Sequence, residues 1–139
     1  MNDHGGVRLT EEVVLNEGGW NRRYARVLLI EEHDDRAVAL VDGNGDGAEL
    51  EIENWSRENF GKWVGGSSSG YSDLGSLERA DVWSTGSYVI ALGKVGPGEI
   101  VRLSYAGRTY SRAASELGIW GFMAPVNPQS PDELPYIRS

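Results

Sequence analysis

The sequence predicts an all-β protein: an antiparallel β-sandwich, or a partly open barrel, of seven to nine strands with at most two short helices. Two observations lead to this prediction. Short apolar runs recur along the chain and are separated by Gly, Asn and Asp, which are typical turn residues. Helical patterns are rare and short. At 139 residues the chain is long enough for one domain with a substantial core.

Three strands in a meander are predicted in the first half. They are the runs RVLLI (26–30), AVALV (37–41) and AELEIENW (48–55), which are separated by polar turns. In the third run, apolar and acidic residues alternate with a period of two, so successive side chains lie on opposite faces. The pattern predicts an inner face with Leu50 and Ile52 and an outer row of Glu49, Glu51 and Glu53.

The second half repeats the strand pattern. Strands are predicted over 88–95, 99–105, 108–111 and 119–126. Residues 73–80 favour a short helix, and residues 111–117 favour either a short helix or a continued strand. The apolar phase of the runs predicts the core positions, which are Val38, Leu40, Leu50, Ile52, Val89, Ala91, Val101, Leu103, Trp120 and Phe122.

The domain organisation follows from composition. A single β-sandwich domain is predicted over residues 1–126, interrupted by a flexible Gly/Ser loop over 61–76. Residues 127–139 contain three of the five prolines and predict an extended Pro-rich tail.

The segment YVIALGKVGPGEIVRLSYAGRTY, which starts at Tyr88 and is followed by GIWGF, carries a resemblance. It resembles the final strands of an immunoglobulin-like β-sandwich module of uncharacterised bacterial proteins, mostly actinobacterial. The resemblance covers only the C-terminal half of the chain, and its motifs are structural. It implies a sandwich fold and assigns no catalytic residue.

Composition limits the function. The absence of cysteine excludes disulfides, thiolate metal sites and cysteine nucleophiles. The polar N-terminus lacks the apolar run of a signal peptide, so the cytoplasm is the expected compartment. Residues 1–58 contain 14 acidic and six basic residues, which is the whole net charge of −8. Such a field repels nucleic acid and anionic membranes and attracts a basic protein.

The sequence therefore favours a non-enzymatic, acidic protein that binds a basic macromolecule, for example of the immunity or inhibitor type. No catalytic residue is predicted, and the sequence does not specify an oligomeric state. Aromatic residues beside the Gly/Ser loop add contact area to such a surface. The predicted partner-binding residues are Glu31, Glu32, Asp34, Asp35, Glu49, Glu51, Glu53, Trp63 and Tyr71.

The stretch VDGNGDGAELEIEN (41–54) leaves an alternative open, a carbohydrate- or calcium-binding β-sandwich module. Asp42, Asn44, Asp46 and Glu53 match the spacing of a calcium loop. A strand after the loop would carry Glu53 roughly 20 Å from the other ligands, so a hairpin turn is favoured over a calcium site. Calcium at Asp42, Asn44 and Asp46 is the only cofactor considered. A small enzyme that uses carboxylates, such as Glu31 and Glu32, is a third alternative.

Overall fold

The computed structural model describes residues 8–58, 61–71 and 73–138, apart from the side chains of residues 67, 69 and 71. These residues form ten strands in three antiparallel sheets, one α-helix and one 3-10 helix. The all-β prediction is confirmed, with one strand more than the predicted range. The chain divides into two compact units, Met1–Leu74 (unit 1) and Gly75–Ser139 (unit 2). A single domain over 1–126 stays a prediction, since a compact unit need not fold independently.

Unit 1 contains a helix and a four-stranded meander. The elements are α1 (Glu11–Glu17), β1 (Arg26–His33), β2 (Arg36–Asp42), β3 (Leu50–Arg57) and β4 (Trp63–Tyr71). The strand order is β1-β2-β3-β4, and each strand is antiparallel to the next. Consecutive turns therefore lie at opposite ends of the sheet.

Helix α1 lies where no helix was predicted. The Thr10 side chain accepts a hydrogen bond of 3.2 Å from the amide of Val13, and two glutamates occupy the first turn. Both features stabilise a helix N-terminus. The helix ends at Gly18 after seven residues, so it is too short to give a convincing helical period.

One hydrophobic cluster of unit 1 lies between α1 and one face of the sheet. The small side chains of Ala37, Ala39 and Val41 on β2 let the helix approach closely, and Val14 is its fully buried contact residue. Two indoles, Trp55 and Trp63, complete the same cluster.

The prediction of a flexible Gly/Ser loop over residues 61–76 is wrong for most of that stretch. Most of the loop expected over 61–76 is strand β4, which pairs with β3 from Arg57 opposite Trp63 to Leu50 opposite Tyr71. Composition suggested a flexible loop, but a strand ladder is made by the backbone and needs no particular side chain. Glycine is also useful here, since a Cβ on Gly65 would lie 3.3 Å from the Trp55 ring. Further along, Leu74–Glu78 forms the 3-10 helix, within the predicted helical segment.

Unit 2 contains two three-stranded sheets. Its strands are β5 (Asp81–Ser84), β6 (Tyr88–Lys94), β7 (Ile100–Tyr105), β8 (Arg108–Ala113), β9 (Ile119–Pro125) and β10 (Tyr136–Arg138). The strand orders are β5-β6-β9 and β10-β7-β8. Side chains from both sheets form one core that includes Val89, Leu103, Tyr105, Trp120 and Phe122. This is the face-to-face packing of a small sandwich.

All ten predicted core positions are buried. Residues 111–113 continue strand β8, which decides between the two alternatives for that segment. The Pro-rich tail is held at three places: β10 pairs with β7, the amide of Asn127 donates a 2.7 Å hydrogen bond to the Tyr105 hydroxyl, and the Glu133 carboxylate accepts one of 3.1 Å from the amide of Ala106. Among the described residues, no helix is long and apolar enough to cross a membrane.

Candidate functional site

The loop between β2 and β3, residues 43–49, is organised by one buried carboxylate. Asp42 is 3% exposed, and its two oxygens accept hydrogen bonds from the amides of Gly45 (3.0 Å) and Gly47 (2.7 Å). Both glycines have a φ of +77°, a conformation that side chains disfavour. A Cβ on Gly45 would also collide with the Tyr24 carbonyl oxygen. The sequence DGNGDG is thus explained by the loop backbone.

The other two candidate calcium ligands also bond within the loop. The Asp46 carboxylate accepts a hydrogen bond of 3.0 Å from the backbone amide of Ala48. The side-chain amide of Asn44 donates one of 3.3 Å to the Glu49 carboxylate. Among the described residues, no group of three or more His, Cys, Asp or Glu side chains could hold a metal ion. These contacts are those of a structural loop, and calcium at Asp42, Asn44 and Asp46 stays an untested alternative.

The prediction that Glu53 belongs to an exposed outward row of carboxylates is wrong. Glu51 lies opposite Val41 and Glu53 opposite Ala39, so both glutamates share the sheet face that α1 covers. The period-2 pattern identified this shared face correctly, but it could not show that a helix would cover it. Glu53 is half-buried there, not exposed.

Two tryptophans hold the Glu53 carboxylate. One oxygen accepts a hydrogen bond of 3.0 Å from the indole N–H of Trp20, and the other accepts one of 3.2 Å from Trp55. Burial raises the pKa of Glu53 above its ordinary value; the two indole hydrogen bonds oppose this shift, and the negative charge of Glu51 adds to it. Glu53 is thus the link that fixes Trp20 to the sheet.

Trp20 forms one wall of a cavity of about 370 Å³ in unit 1. Gly43 leaves room for its ring, since a Cβ there would be 3.0 Å from Trp20 Cζ3. Glu49 is exposed and Glu51 half-buried, so the cavity presents two carboxylates beside an indole. The lining residues are Trp20, Gly43, Asn44, Glu49, Leu50, Glu51 and Gly70.

The remaining predicted acidic residues lie away from this cavity. Asp34 and Asp35 form the turn between β1 and β2, at the opposite end of β2 from the cavity. Seven residues of strand separate the two ends by roughly 20 Å. Asp35 is also paired with Arg57, at 3.1 Å. The predicted acidic surface is therefore not one continuous patch.

Glu31 and Glu32 lie on β1, and both are partly buried. Glu32 accepts a hydrogen bond of 3.0 Å from the amide of Leu9 and lies 3.9 Å from Arg8, and 12% of its side chain is exposed. Its contacts attach the segment before α1 to the sheet. This placement gives Glu32 a structural role.

The two predicted aromatic contacts have different outcomes. Trp63 is 3% exposed in the core of unit 1, with the Arg57 guanidinium carbon 5.2 Å from its ring centroid, so the prediction that it is exposed is wrong. Trp63 is the first residue of β4, on the face that α1 covers. The side chain of Tyr71 lies outside the described residues. Trp20 was not predicted as a site residue, because nothing in the sequence distinguishes it from the other tryptophans.

Comparisons with protein-family models, with the curated proteins and with the solved structures find no match. The resemblance to immunoglobulin-like modules therefore stays an expectation. The function has to be inferred from the geometry of the chain itself.

Proposed function

We propose that this chain is a non-enzymatic binding protein that uses unit 1 to bind a basic protein, and that the Trp20 cavity takes a cationic side chain of that partner. The observation that carries the proposal is the meeting of Trp20, Glu49 and Glu51 at one cavity. An indole attracts a guanidinium or ammonium group, and carboxylates pair with the same groups.

The charge of unit 1 supports the same class of partner. Residues 1–74 contain 15 acidic and seven basic residues, and the remaining chain has six of each. A field of this sign speeds the encounter with a basic surface and disfavours nucleic acid and anionic membranes. An inhibitor or immunity protein that covers a basic enzyme or toxin fits these properties.

The test compares two isosteric double variants that remove equal charge. Glu49→Gln with Glu51→Gln removes the cavity carboxylates, and Asp34→Asn with Glu58→Gln removes two exposed charges at the other end of the sheet. The probe is a fluorescently labelled peptide of alternating Arg and Gly, and binding is measured by anisotropy. We expect the cavity variant to bind at least about tenfold more weakly, equivalent to about 1.4 kcal/mol, and the control variant to change by less than about threefold. Equal losses in both variants would contradict the proposal.

A neutral carbohydrate is the second candidate ligand. Trp20 supplies a ring on which a sugar can stack, and Asn44, Glu49 and Glu51 supply hydrogen-bonding groups. A glucan oligosaccharide that binds with the same affinity at low and high salt would favour this candidate, since salt screens only the binding of the charged peptide.

A further inference from the structure

The sheet β10-β7-β8 of unit 2 has an outer face that carries basic and hydroxyl side chains. Val101, Leu103 and Tyr105 of β7 are buried in the core, so the residues between them lie on the opposite, outer face. Directly paired residues of neighbouring strands share a face. The register therefore gives two rows across the outer face, one of Arg138, Arg102 and Ser111 and one of Tyr136, Ser104 and Thr109. No outer residue of these three strands is acidic.

Two arginines lie side by side in the first row. Arg102 on β7 is directly opposite Arg138 on β10, and the Cβ atoms of such partners are roughly 4.5 to 5.5 Å apart. Both side chains are exposed. Like charges in this position destabilise a sheet, so an anion that binds between them removes an unfavourable interaction.

The described carboxylates leave this charge pair uncompensated. None of them lies within ion-pair distance of Arg102 or Arg138. Glu78 and Glu99 line a cavity that Arg138 also borders, but neither forms an ion pair with it. Glu99 instead accepts a hydrogen bond of 2.9 Å from the amide of Gly96. The two guanidinium groups are thus available to an anion from solution.

The neighbouring side chains favour an anion that carries an organic group. Tyr136 lies on the same face as Arg138, two residues earlier on β10, and it is 70% exposed, more than any other large apolar or aromatic side chain described. An exposed phenol ring offers a surface on which an aromatic or apolar group can pack. The remaining members of the two rows are Ser and Thr, which donate hydrogen bonds and do not repel an anion.

We propose that this outer face of unit 2 binds a phosphate monoester with an aromatic or apolar organic group. The guanidinium groups of Arg102 and Arg138 bind the phosphoryl dianion, and Tyr136 packs against the organic group. A monoester matches two guanidinium forks because it carries nearly two negative charges and three acceptor oxygens. None of these residues belongs to unit 1, so the site is separate from the function proposed for the Trp20 cavity.

The test uses the full chain with phenyl phosphate, benzenesulfonate and inorganic phosphate at constant ionic strength and about pH 8, where both phosphates are dianions. Benzenesulfonate has the same ring and a tetrahedral head group but only one charge. Binding is followed by the NMR shifts of the assigned Nε–H signals of Arg102, Arg138 and Arg108. We expect phenyl phosphate to shift the first two signals with a dissociation constant of about 10 mM or lower. Benzenesulfonate should bind at least about fivefold more weakly, because it has one charge, and inorganic phosphate at least about threefold more weakly, because it has no ring.

Arg108 provides a matched control. It is an exposed arginine of the same sheet, but it lies opposite Tyr105 and so outside the two outer rows. Arg102→Gln and Arg138→Gln are each expected to weaken phenyl phosphate at least about fivefold, and Arg108→Gln less than about twofold. All three side chains are exposed, so the variants should keep the wild-type melting temperature, and either of the first two variants suffices for the test.

Four results would each overturn the proposal. Phenyl phosphate up to about 50 mM could leave the Arg102 and Arg138 signals in place. Benzenesulfonate could bind as tightly as phenyl phosphate, which would remove the requirement for a dianion. Inorganic phosphate could bind as tightly, which would remove the role of Tyr136. Arg108→Gln could weaken binding as much as Arg102→Gln, which would show attraction to positive charge in general.

Discussion

Glu53 shows how one carboxylate can serve structure rather than recognition. Its oxygens each accept a hydrogen bond from a different indole, one from the segment after α1 and one from its own strand. Without this carboxylate both N–H groups would lose their acceptor, which is costly for partly buried donors. The position of Trp20, and with it the wall of the cavity, depends on Glu53.

The raised pKa of Glu53 predicts a pH dependence of stability. The folded state binds the Glu53 proton more tightly than the unfolded state, so this group's contribution is greatest below the unfolded value of 4.5 and is lost as pH rises through the folded pKa. We therefore expect the wild type to lose stability relative to Glu53→Gln as pH increases from about 4 to 7, measured by urea unfolding. Glu58→Gln, at an exposed residue that does not contribute to the shift, is the control, and we expect it to keep this slope. A difference between wild type and Glu53→Gln that does not change with pH would contradict the assignment.

Asp42 is a second carboxylate with a structural role, in this case in the loop between β2 and β3. Asp42→Ala leaves the amides of Gly45 and Gly47 without their acceptor, and we expect a loss of about 1 to 3 kcal/mol in the free energy of unfolding. Asp46→Ala removes a single exposed hydrogen bond and should cost less than about 1 kcal/mol. Thermal unfolding measures both variants.

The same loop gives a separate expectation for calcium. If the loop is only structural, about 1 mM calcium moves the melting temperature little, because stabilisation requires a ligand concentration well above the dissociation constant. A large calcium-dependent increase that Asp42→Ala and Asp46→Ala both abolish would instead establish the calcium alternative.

At the level of elements, alternation of apolar residues was a good guide where a strand carries side chains of two kinds. Together with short apolar runs bounded by polar turns, it located β1, β2, β3, β6, β7, β8 and β9. It missed β4, because GGSSSG has no apolar phase, and it missed β5 and β10, because four and three residues are too few to alternate visibly. Helix α1 was missed for a similar reason, although Thr10 and the glutamates after it were a readable start signal.

The candidate site could be predicted from the sequence only in part. The sequence indicated Glu49 and Glu51, but the cavity also needs Trp20, which comes from a segment 23 residues before Gly43. Only the packing of α1 on the sheet brings these parts together. Contacts between distant segments depend on tertiary packing, which period-2 patterns do not encode.

Strand β7 offers a direct test of the unit 2 core. Leu103 is fully buried between its strand neighbours, opposite Tyr110 on β8 and Ile137 on β10. We expect Leu103→Ala to cost about 2 to 5 kcal/mol in the free energy of unfolding, from lost apolar burial and the cavity left behind. On the same strand, Ile100 is 56% exposed, and Ile100→Ala should cost less than about 0.5 kcal/mol. Similar costs for the two variants would contradict this core assignment.

For the whole molecule, the sign of the charge distinguishes the two units. The formal charge of −8 belongs entirely to residues 1–74, so the proposed cation site lies in the acidic unit. A basic protein therefore meets the stronger attractive field at unit 1.

This charge distribution predicts how the two charge-matched variants differ in kinetics. Steering depends on the summed field, so Glu49→Gln with Glu51→Gln and Asp34→Asn with Glu58→Gln should slow association of the Arg-Gly peptide to a similar extent at low salt. The association rates should converge with the wild type above about 0.5 M salt, where the screening length is only a few ångströms. Only the cavity variant should dissociate faster, because it alone loses carboxylates that contact the bound cation. Stopped-flow measurements over a range of salt separate the two rates. If the control variant also dissociated faster, the cation would bind over the acidic surface in general and not in the Trp20 cavity.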